Sequence, residues 1–370
     1  MPDAKARQAM GQAKRIVVKV GTNAICYADG GVNRRSVSRL AEQIDKIRQR
    51  RIAVTLVASG AIGTGVGELG LSGRPKSMPK LQAAAAVGQG QLMRTFHDIF
   101  AKRGMKVAQV LLTRDDVEDR TRYLNIRNTL SALDDWGVVG IVNENDTIAV
   151  DEIRFGENDI LAAMVANMLA ADLLVFLTSV DGVMKDGQVI DVITNVDRQV
   201  LSLVTPDRSS LGVGGMTSKL EAAGMVTRAG EVAVIANYDE PNVLARLLDG
   251  EKIGTIFLPA KRKMTQRRRW IGQASRTAGK VVIDDGAVNA LTKRGKSLLP
   301  SGVSAVSGSF AKGAVVAVLD STGRQIARGL VNYSAQQLAK IKGLRTNQIA
   351  KALGDKPYDE VIHRNNMTMD

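Results

Sequence analysis

The chain has 370 residues, a length sufficient for two domains with a sizeable core. Hydrophobic residues make up 45% of it and aromatic residues only 4%. A single cysteine, Cys26, excludes an internal disulfide framework and is typical of a reducing compartment, so we expect a cytoplasmic protein. No apolar run reaches the length of a membrane span, and two histidines are too few for a histidine-based metal site.

The net charge of +14 is concentrated in one part of the chain. Residues 260–370 hold 20 Lys/Arg and 7 Asp/Glu, a net charge of +13, so the preceding residues carry only +1. We expect a large near-neutral module and a small basic one, which either contacts nucleic acid or is simply soluble. The segment KRKMTQRRR, Lys261–Arg269, marks the change of composition.

Apolar runs alternate with helical patterns through the first module. The runs predict strands at Arg15–Val20, Ile52–Ala58, Lys106–Thr113, Trp136–Val142, Asp172–Thr178, Val232–Ala236 and Gly254–Leu258. Helices are predicted around residues 37–47, at Pro79–Phe100 with a break near Gly88–Gly90, at Thr121–Asp135, at Ile160–Ala171, and up to Arg228. This alternation favours an α/β fold, a mostly parallel sheet sandwiched by helices.

The basic module is predicted to be a small β-barrel. Its short β-rich runs are Lys280–Ile283, Gly302–Val306 and Ala314–Leu319, with a helix at Asp284–Arg294. The expected organisation is therefore a first domain at 1–260, a basic linker at 261–276, the barrel at 277–355 and a C-terminal tail at 356–370.

Glycine-rich turns with neighbouring lysines suggest phosphate binding. Lys19 ends the first strand before Gly21, and the turn Ser59–Gly65 follows the second strand. GVGGMTSK, residues 212–219, opens a helix in which Ser218 and Glu221 match a capping box. The alternative for this last segment is an ordinary capped helix.

The stretch IVNENDTIAVDEIRFGEND, residues 141–159, gathers acids and amides beyond a strand, where α/β sheets place ligand sites. The pairs Asn145-Asp146 and Asn158-Asp159 suit an ammonium group and a cation, although an acidic surface loop is the alternative. With lysines at glycine-rich turns, this set of residues favours phosphoryl transfer, which depends on positioning and positive charge. Mg²⁺ would be bound mainly by the nucleotide.

The chain resembles the glutamate 5-kinase family. The matching motifs are Lys19-Val20-Gly21-Thr22, Ser59-Gly60-Ala61-Ile62, Ala85-Ala86-Val87-Gly88-Gln89, Gln109-Val110-Leu111-Leu112-Thr113, Asn143-Glu144-Asn145-Asp146 and Gly214-Gly215-Met216-Thr217-Ser218-Lys219. The basic module resembles the PUA domain of many bacterial members, through Ser297-Leu298-Leu299-Pro300 and Gly302. The resemblance covers nearly the whole chain.

This resemblance implies the amino-acid-kinase fold and ATP-dependent formation of γ-glutamyl phosphate from L-glutamate, the first committed step of proline biosynthesis. It implies catalytic roles for Lys19 and Lys219 at the transferring phosphoryl group, oriented by Asp159. The implied glutamate-binding residues are Ser59, Gly60, Asn143, Asp146 and Asn158. The implied ATP-binding residues are Lys19, Thr178, Ser179, Val213, Gly214, Gly215, Met216, Thr217, Ser218 and Lys219.

The same resemblance implies proline as a feedback inhibitor, glutamyl phosphate reductase as a channelling partner and a homo-oligomer. Three positions depart from the usual family residues: Asn23 replaces Ser, Glu157 replaces Asp and Ser179 replaces Asp. Kinases of this fold that act on acetylglutamate, aspartate or uridylate are the nearest alternatives. An RNA-binding PUA protein is another, but four aromatic residues in the basic module are few for base stacking, so RNA is not the expected partner.

Overall fold

The computed structural model describes residues 2–149, 157–202, 215–261 and 263–369. The chain divides into two compact units, the first of residues 1–117 and 121–263, the second of residues 118–120 and 264–370. Within the described ranges, no helix combines the length and apolarity needed to cross a membrane.

An eight-stranded sheet forms the centre of the first unit. The strands of this unit are β1 (Arg15–Val20), β2 (Ala53–Ala58), β3 (Lys106–Leu112), β4 (Val138–Glu144), β5 (Leu173–Thr178), β6 (Met184–Lys185), β7 (Gln188–Val189), β8 (Val192–Ile193), β9 (Val232–Asn237) and β10 (Thr255–Phe257). The sheet order is β3-β4-β2-β1-β5-β9-β10-β8, and only the β9–β10 pair is antiparallel. The β6–β7 hairpin stands apart from this sheet.

Helices flank this sheet. They are α1 (Pro2–Met10), α2 (Thr22–Ile25), α3 (Arg34–Gln49), α4 (Ala61–Glu68), α5 (Met78–Ala101), α6 (Arg114–Glu118), α7 (Arg120–Asp135), α8 (Glu157–Leu169), α9 (Arg198–Ser202), α10 (Met216–Arg228) and α11 (Val243–Leu248). Strands β1, β2, β5 and β9 are buried along almost their whole length, as continuous apolar runs in a parallel sheet should be. The prediction of a mostly parallel sheet between helices is confirmed.

Two local predictions in this unit are wrong. The helix expected to break near Gly88–Gly90 is continuous from Met78 to Ala101. Gly88 serves close packing there, because a Cβ at this position would lie 1.9 Å from the Ala61 carbonyl oxygen of α4. The strand expected to begin at Trp136 begins at Val138, and the Trp136 side chain is 76% exposed.

The second unit is built on a five-stranded sheet around its own hydrophobic core. Its strands are β11 (Gly279–Ile283), β12 (Val303–Gly308), β13 (Val315–Leu319), β14 (Gln325–Leu330) and β15 (Met367–Met369), and its helices are α12 (Gln266–Arg269), α13 (Asp285–Thr292), α14 (Ala335–Ile341) and α15 (Ile349–Leu353). The order is β12-β11-β13-β14-β15, and only β11 and β13 run parallel. This mostly antiparallel arrangement is consistent with the small barrel-like domain predicted for the basic module.

Folded structure extends beyond the limits predicted for this module. Part of the predicted linker 261–276 forms α12 and a π-helical turn at Trp270–Ala274, and Arg269 is buried with its Nε donating to the Met264 carbonyl oxygen. In the predicted tail 356–370, β15 pairs with β14. Thr368 Oγ1 of β15 also donates to the Arg268 carbonyl oxygen of α12 at 3.0 Å, so both segments contribute to the fold of the second unit.

Candidate functional site

Strand register brings several polar residues predicted for the site to one edge of the sheet. Val20 of β1 lies beside Ala58 of β2 and Leu177 of β5, while Val57 of β2 lies beside Val142 of β4. Since these strands are parallel, their carboxyl ends open on the same side. The polar residues at or just past those ends are Ser59, Asn143 and Thr178.

Lys19, Asp159 and Lys219 form a buried ionic group at this edge. Lys19 Nζ lies 2.7 Å from Asp159 Oδ1, and Lys219 Nζ lies 3.1 Å from Asp159 Oδ2. The three residues are 5%, 0% and 6% exposed, so water screens their charges poorly. They come from three separate elements, β1, α8 and α10, which meet only in the folded chain.

The electrostatics of this group favour a further anion. Burial raises the pKa of the Asp159 carboxyl. The Lys19 and Lys219 charges and two hydrogen bonds together lower this pKa by more than burial raises it, so it lies below its usual range. Burial lowers the pKa of the Lys219 ammonium. The Asp159 carboxylate raises this pKa and the Lys19 charge lowers it, and the net shift is downward. Two ammonium groups around one carboxylate leave a net positive charge in a desolvated place, and a transferring phosphoryl group would compensate it.

The start of α10 positions Lys219. Gly215 is the N-cap in an extended conformation, and the helix runs from Met216. Ser218 Oγ lies 2.7 Å from Asp159 Oδ2 and 2.8 Å from the Gly215 carbonyl oxygen. The capping box predicted for Ser218 and Glu221 is therefore wrong, because Ser218 lies inside the first turn and is directed to the Asp159 carboxylate.

A chain of amide groups lies beside the ionic group. Asn158 Nδ2 donates to Ser59 Oγ at 2.9 Å and to Asn143 Oδ1 at 3.0 Å. Asn143 is only 2% exposed, and its Oδ1 also accepts from the Glu144 backbone N–H at 2.9 Å. Ser59, Asn143 and Asn158, all predicted glutamate ligands, are thus brought together by the fold.

These hydrogen bonds determine which atoms of Asn158 and Ser59 are left to donate or to accept. Both Nδ2 hydrogens of Asn158 are used, so its buried Oδ1, which has no hydrogen-bond partner among the residues described, is available to accept. Ser59 Oγ already accepts, so its own hydrogen is available to donate. An acceptor for an ammonium and a donor to a carboxylate, side by side, match the two charged groups of an α-amino acid.

Gly60 closes the turn between β2 and α4. Its φ of 114° is in the left-handed region that favours glycine, and a Cβ there would lie 3.0 Å from Cys26 Sγ. The glycine lets the chain turn sharply after Ser59, so the N-terminus of α4 begins directly at the site. This is the glycine turn expected from the sequence.

Asp146 lies in the turn after β4, where its charge interacts with Arg74 of the loop between α4 and α5. Burial lowers the pKa of Arg74, and the Asp146 carboxylate opposes that change. Sequence reasoning did not identify Arg74, since nothing in the local pattern around residues 69–77 distinguishes it from a surface arginine. The role of Asp146 in binding an ammonium stays a prediction.

The described residues predicted for the nucleotide come from two parts of the first unit, the end of β5 and the start of α10. Thr178 is the last residue of β5, and its carbonyl oxygen accepts from the Tyr238 N–H at 2.9 Å, while Ser179 follows it and is exposed. Gly215, Met216 and Thr217 form the start of α10. Val213 and Gly214 lie outside the described residues, and within those that are described no hydrogen bond joins Thr178 or Ser179 to the turn at 215–219.

Gln89 is a second residue of the site that sequence reasoning left without a role. It extends from α5 and accepts from Asn143 Nδ2 at 2.8 Å through Oε1. The sequence contained a signal, because Gln89 ends the family-like motif AAVGQ, but the contact depends on how closely α5 approaches α4. Only the folded chain shows that distance.

Two family models match the chain. The amino acid kinase family matches residues 14–237, and the PUA domain matches residues 279–353. The first match contains all residues of the ionic group and the amide chain.

Curated relatives match over almost the full length. A glutamate 5-kinase of Thermoanaerobacter sp. (strain X514) is 45% identical over 362 residues, covering 96% of this chain and 97% of the relative. Those of Caldanaerobacter subterraneus subsp. tengcongensis and Moorella thermoacetica are 46% and 44% identical, covering 96% and 99% of this chain and 97% and 99% of the relatives.

Proposed function

Because the chain belongs to the amino acid kinase family and, over nearly its full length, to the glutamate 5-kinases, we propose that it transfers the γ-phosphoryl group of ATP to the γ-carboxylate of L-glutamate. The products are ADP and γ-glutamyl phosphate, which makes this the first step of proline biosynthesis. The observation that carries the proposal is the buried group in which Lys19 and Lys219 both pair with Asp159.

In this proposal, the two lysines stabilise the phosphoryl group in transit. A carboxylate oxygen of glutamate attacks the γ-phosphorus while the bond to the β,γ-bridging oxygen of ATP breaks, and no proton needs to move. Negative charge spreads over the phosphoryl oxygens, so fixed positive charge in a desolvated site lowers the barrier. Asp159 holds both ammonium groups in place, which is supported by its complete burial and by the Ser218 hydroxyl bonded to it.

Glutamate is proposed to bind against the amide chain. The Ser59 hydroxyl donates to a substrate carboxylate, and Asn158 Oδ1 accepts from the α-ammonium, in keeping with the polarity that their existing hydrogen bonds leave. Asn143 supports Asn158, Gly60 contributes the turn, and Asp146 adds a negative charge for the ammonium group.

ATP is the phosphoryl donor in this proposal. Thr178, Ser179 and the start of α10 are its proposed contacts, because Thr178 ends β5, Ser179 follows it, and the first turn of α10 carries Lys219. Mg²⁺ is proposed to arrive with the nucleotide. In the described part of the chain, no group of three or more His, Cys, Asp or Glu side chains is placed to hold a metal ion. Phosphate oxygens are proposed to hold the ion, and none of the steps above depends on a protein ligand to it.

The proposal is tested by trapping the product. The full-length protein is incubated with ATP, Mg²⁺ and hydroxylamine, which converts an acyl phosphate to a hydroxamate, and L-glutamate is compared with L-aspartate and N-acetyl-L-glutamate. We expect hydroxamate formation with L-glutamate to exceed that with the other acceptors. A preference for N-acetyl-L-glutamate would contradict the proposed ammonium site, and a preference for L-aspartate would contradict the proposed chain length of the substrate.

Further partners follow from the family and stay predictions. Proline shares the α-carboxylate and amine of glutamate, so we propose that it competes for the amide chain as a feedback inhibitor. Channelling to glutamyl phosphate reductase and a homo-oligomer are proposed on the same basis, and a cytoplasmic location is proposed from the single cysteine. RNA is not an expected partner.

A further inference from the structure

We propose that Gln89 is a positioning residue for glutamate, acting through Asn143 to fix which end of the Asn158 amide faces the substrate. The inference rests on the proposed function, since its effect is measured as glutamate binding. Gln89 does not need to touch the substrate in this role. It is the outermost member of the chain Gln89–Asn143–Asn158.

Three hydrogen bonds hold the side-chain amide of Asn143 in one orientation. Its Nδ2 donates to Gln89 Oε1 at 2.8 Å, while its Oδ1 accepts from Asn158 Nδ2 and from the Glu144 N–H. If the amide rotated by half a turn, Nδ2 would face two donors and Oδ1 would face the Gln89 acceptor. The Glu144 N–H can only donate and so already selects this orientation, and an acceptor at Gln89 stabilises it further.

The oriented Asn143 amide in turn orients the side chain of Asn158. With Asn143 Oδ1 facing it, Asn158 must present Nδ2 to that oxygen, and the same Nδ2 reaches Ser59 Oγ. Asn158 Oδ1 is then left as a buried acceptor with no partner among the described residues. The orientation that Gln89 stabilises thus reaches the group proposed to meet the ammonium.

Close packing of α5 against α4 allows a residue of α5 to reach this chain of amides. Gly88, the preceding residue, packs against α4 so closely that an added Cβ would lie 1.9 Å from Ala61 O and 2.3 Å from Gly65 N. The close approach of the two helices brings Gln89 beside the strand end that carries Asn143. Gly88 thus allows the close contact between α5 and α4, and Gln89 next to it supplies the oxygen that accepts from Asn143.

The test compares two substitutions at Gln89 in the full-length protein. Gln89→Met keeps the size of the side chain but removes the acceptor, so the KM for glutamate should rise about fivefold, as for the loss of one orienting hydrogen bond. The KM for ATP and the kcat should change by less than about twofold, because the lysine group is untouched. Gln89→Glu keeps an acceptor for Asn143 Nδ2 and should restore the glutamate KM to within about twofold of the unsubstituted value.

Two controls separate orientation from general loss of structure. Gln91→Met makes the same exchange two residues further along α5, at a side chain for which no hydrogen bond is seen among the described residues, and should leave both KM values unchanged. Combining Gln89→Met with Asn143→Ala should raise the glutamate KM no further than Asn143→Ala alone, because residues acting through one contact are not additive.

Each outcome supports or overturns the inference. A folded Gln89→Met enzyme with an unchanged glutamate KM, or a Gln89→Glu enzyme as impaired as Gln89→Met, would overturn it while the proposed function stood. Additive losses in the double variant would also overturn it, since Gln89 would then act independently of Asn143. If the unsubstituted protein formed no product from glutamate, the proposed function and this inference would fall together.

Discussion

Lys219 is the residue whose loss should affect chemistry most directly. Replacing it with Ala removes one of the two ammonium groups around Asp159, so kcat should fall by about a hundredfold or more while the protein stays folded. Lys46→Ala, at an exposed ion pair on α3, is the matched control and should leave kcat unchanged. Steady-state kinetics and a melting curve check both variants, and near-normal turnover in a folded Lys219→Ala enzyme would remove Lys219 from the mechanism.

The buried position of Lys219 also predicts an alkaline limit of activity. Burial lowers its pKa below the ordinary 10.5, so the ammonium loses its proton at a pH where an exposed lysine keeps it. Activity should therefore decline as the pH rises through this lowered pKa. Because the folded pKa lies below the unfolded one, the charged lysine costs stability at neutral pH, and that cost disappears as the pH rises from the folded pKa to 10.5.

The pH profile of kcat/KM checks this prediction, because it reports the ionisations of the free enzyme. In Lys219→Arg, the guanidinium stays protonated, so the residual activity should lose the part of the alkaline decline that belongs to Lys219. Asp159 does not titrate in the alkaline range, because its pKa lies below the ordinary 3.8. The stability that its charged form contributes to the fold is lost only as the pH falls through that lowered pKa. An unchanged alkaline decline in Lys219→Arg would assign the decline to another group.

At the scale of elements, the contact between α4 and α5 depends on Gly88. Gly88→Ala places a methyl group 1.9 Å from Ala61 O, a backbone atom that cannot rotate away, and should lower the free energy of unfolding by about 3 kcal/mol. Gly90→Ala is the matched control on the same helix, because a Cβ there meets nothing within 4 Å. It should raise stability by about 0.5 to 1 kcal/mol. Chemical denaturation measures both, and equal stabilities would show that the helices separate easily.

The same helix illustrates how far sequence reasoning reaches. The buried strands were predictable, because β2 and β5 are almost entirely apolar and β1 is apolar apart from Arg15 and Lys19, so the sequence pattern of each strand is sufficient. The continuity of α5 was not, since glycine weakens a helix on its own and Gly88 is explained only by its contact with α4.

The candidate site divides in the same way. Lys19, Asp159 and Lys219 were identified from motifs, and the fold brings them together. The bond from Asn143 to Gln89 crosses 54 positions in the sequence, and its direction depends on amide orientations that no local pattern encodes. The Ser218 capping box failed for a related reason, because a buried carboxylate from another element competes for the hydroxyl.

At the scale of the whole molecule, every residue proposed for catalysis lies in the first unit, whereas the net charge of +13 belongs to residues 260–370. A chain shortened to residues 1–263 should therefore keep its kcat within a few-fold. A well-folded but inactive shortened chain would show that the second unit contributes to the site.

The position of the cut should matter. Glu231 is 3% exposed, and Lys263 Nζ lies 2.9 Å from its Oε2. A chain ending at Leu258 loses that ammonium from a buried carboxylate, so its melting temperature should lie several degrees below that of the chain ending at Lys263. Equal melting temperatures would mean that the ion pair contributes little.

Cys26 gives the chain an intrinsic reporter of local opening. It is the only thiol, it is 7% exposed, and its Sγ lies 3.7 Å from the Gly60 carbonyl oxygen and 3.6 Å from Thr64 Oγ1. Burial raises its pKa, so a thiol reagent should react only when the turn at Gly60 opens. The rate of disulfide exchange with a chromogenic reagent would then measure that opening, and a ligand seated on the turn should slow it without any engineered label.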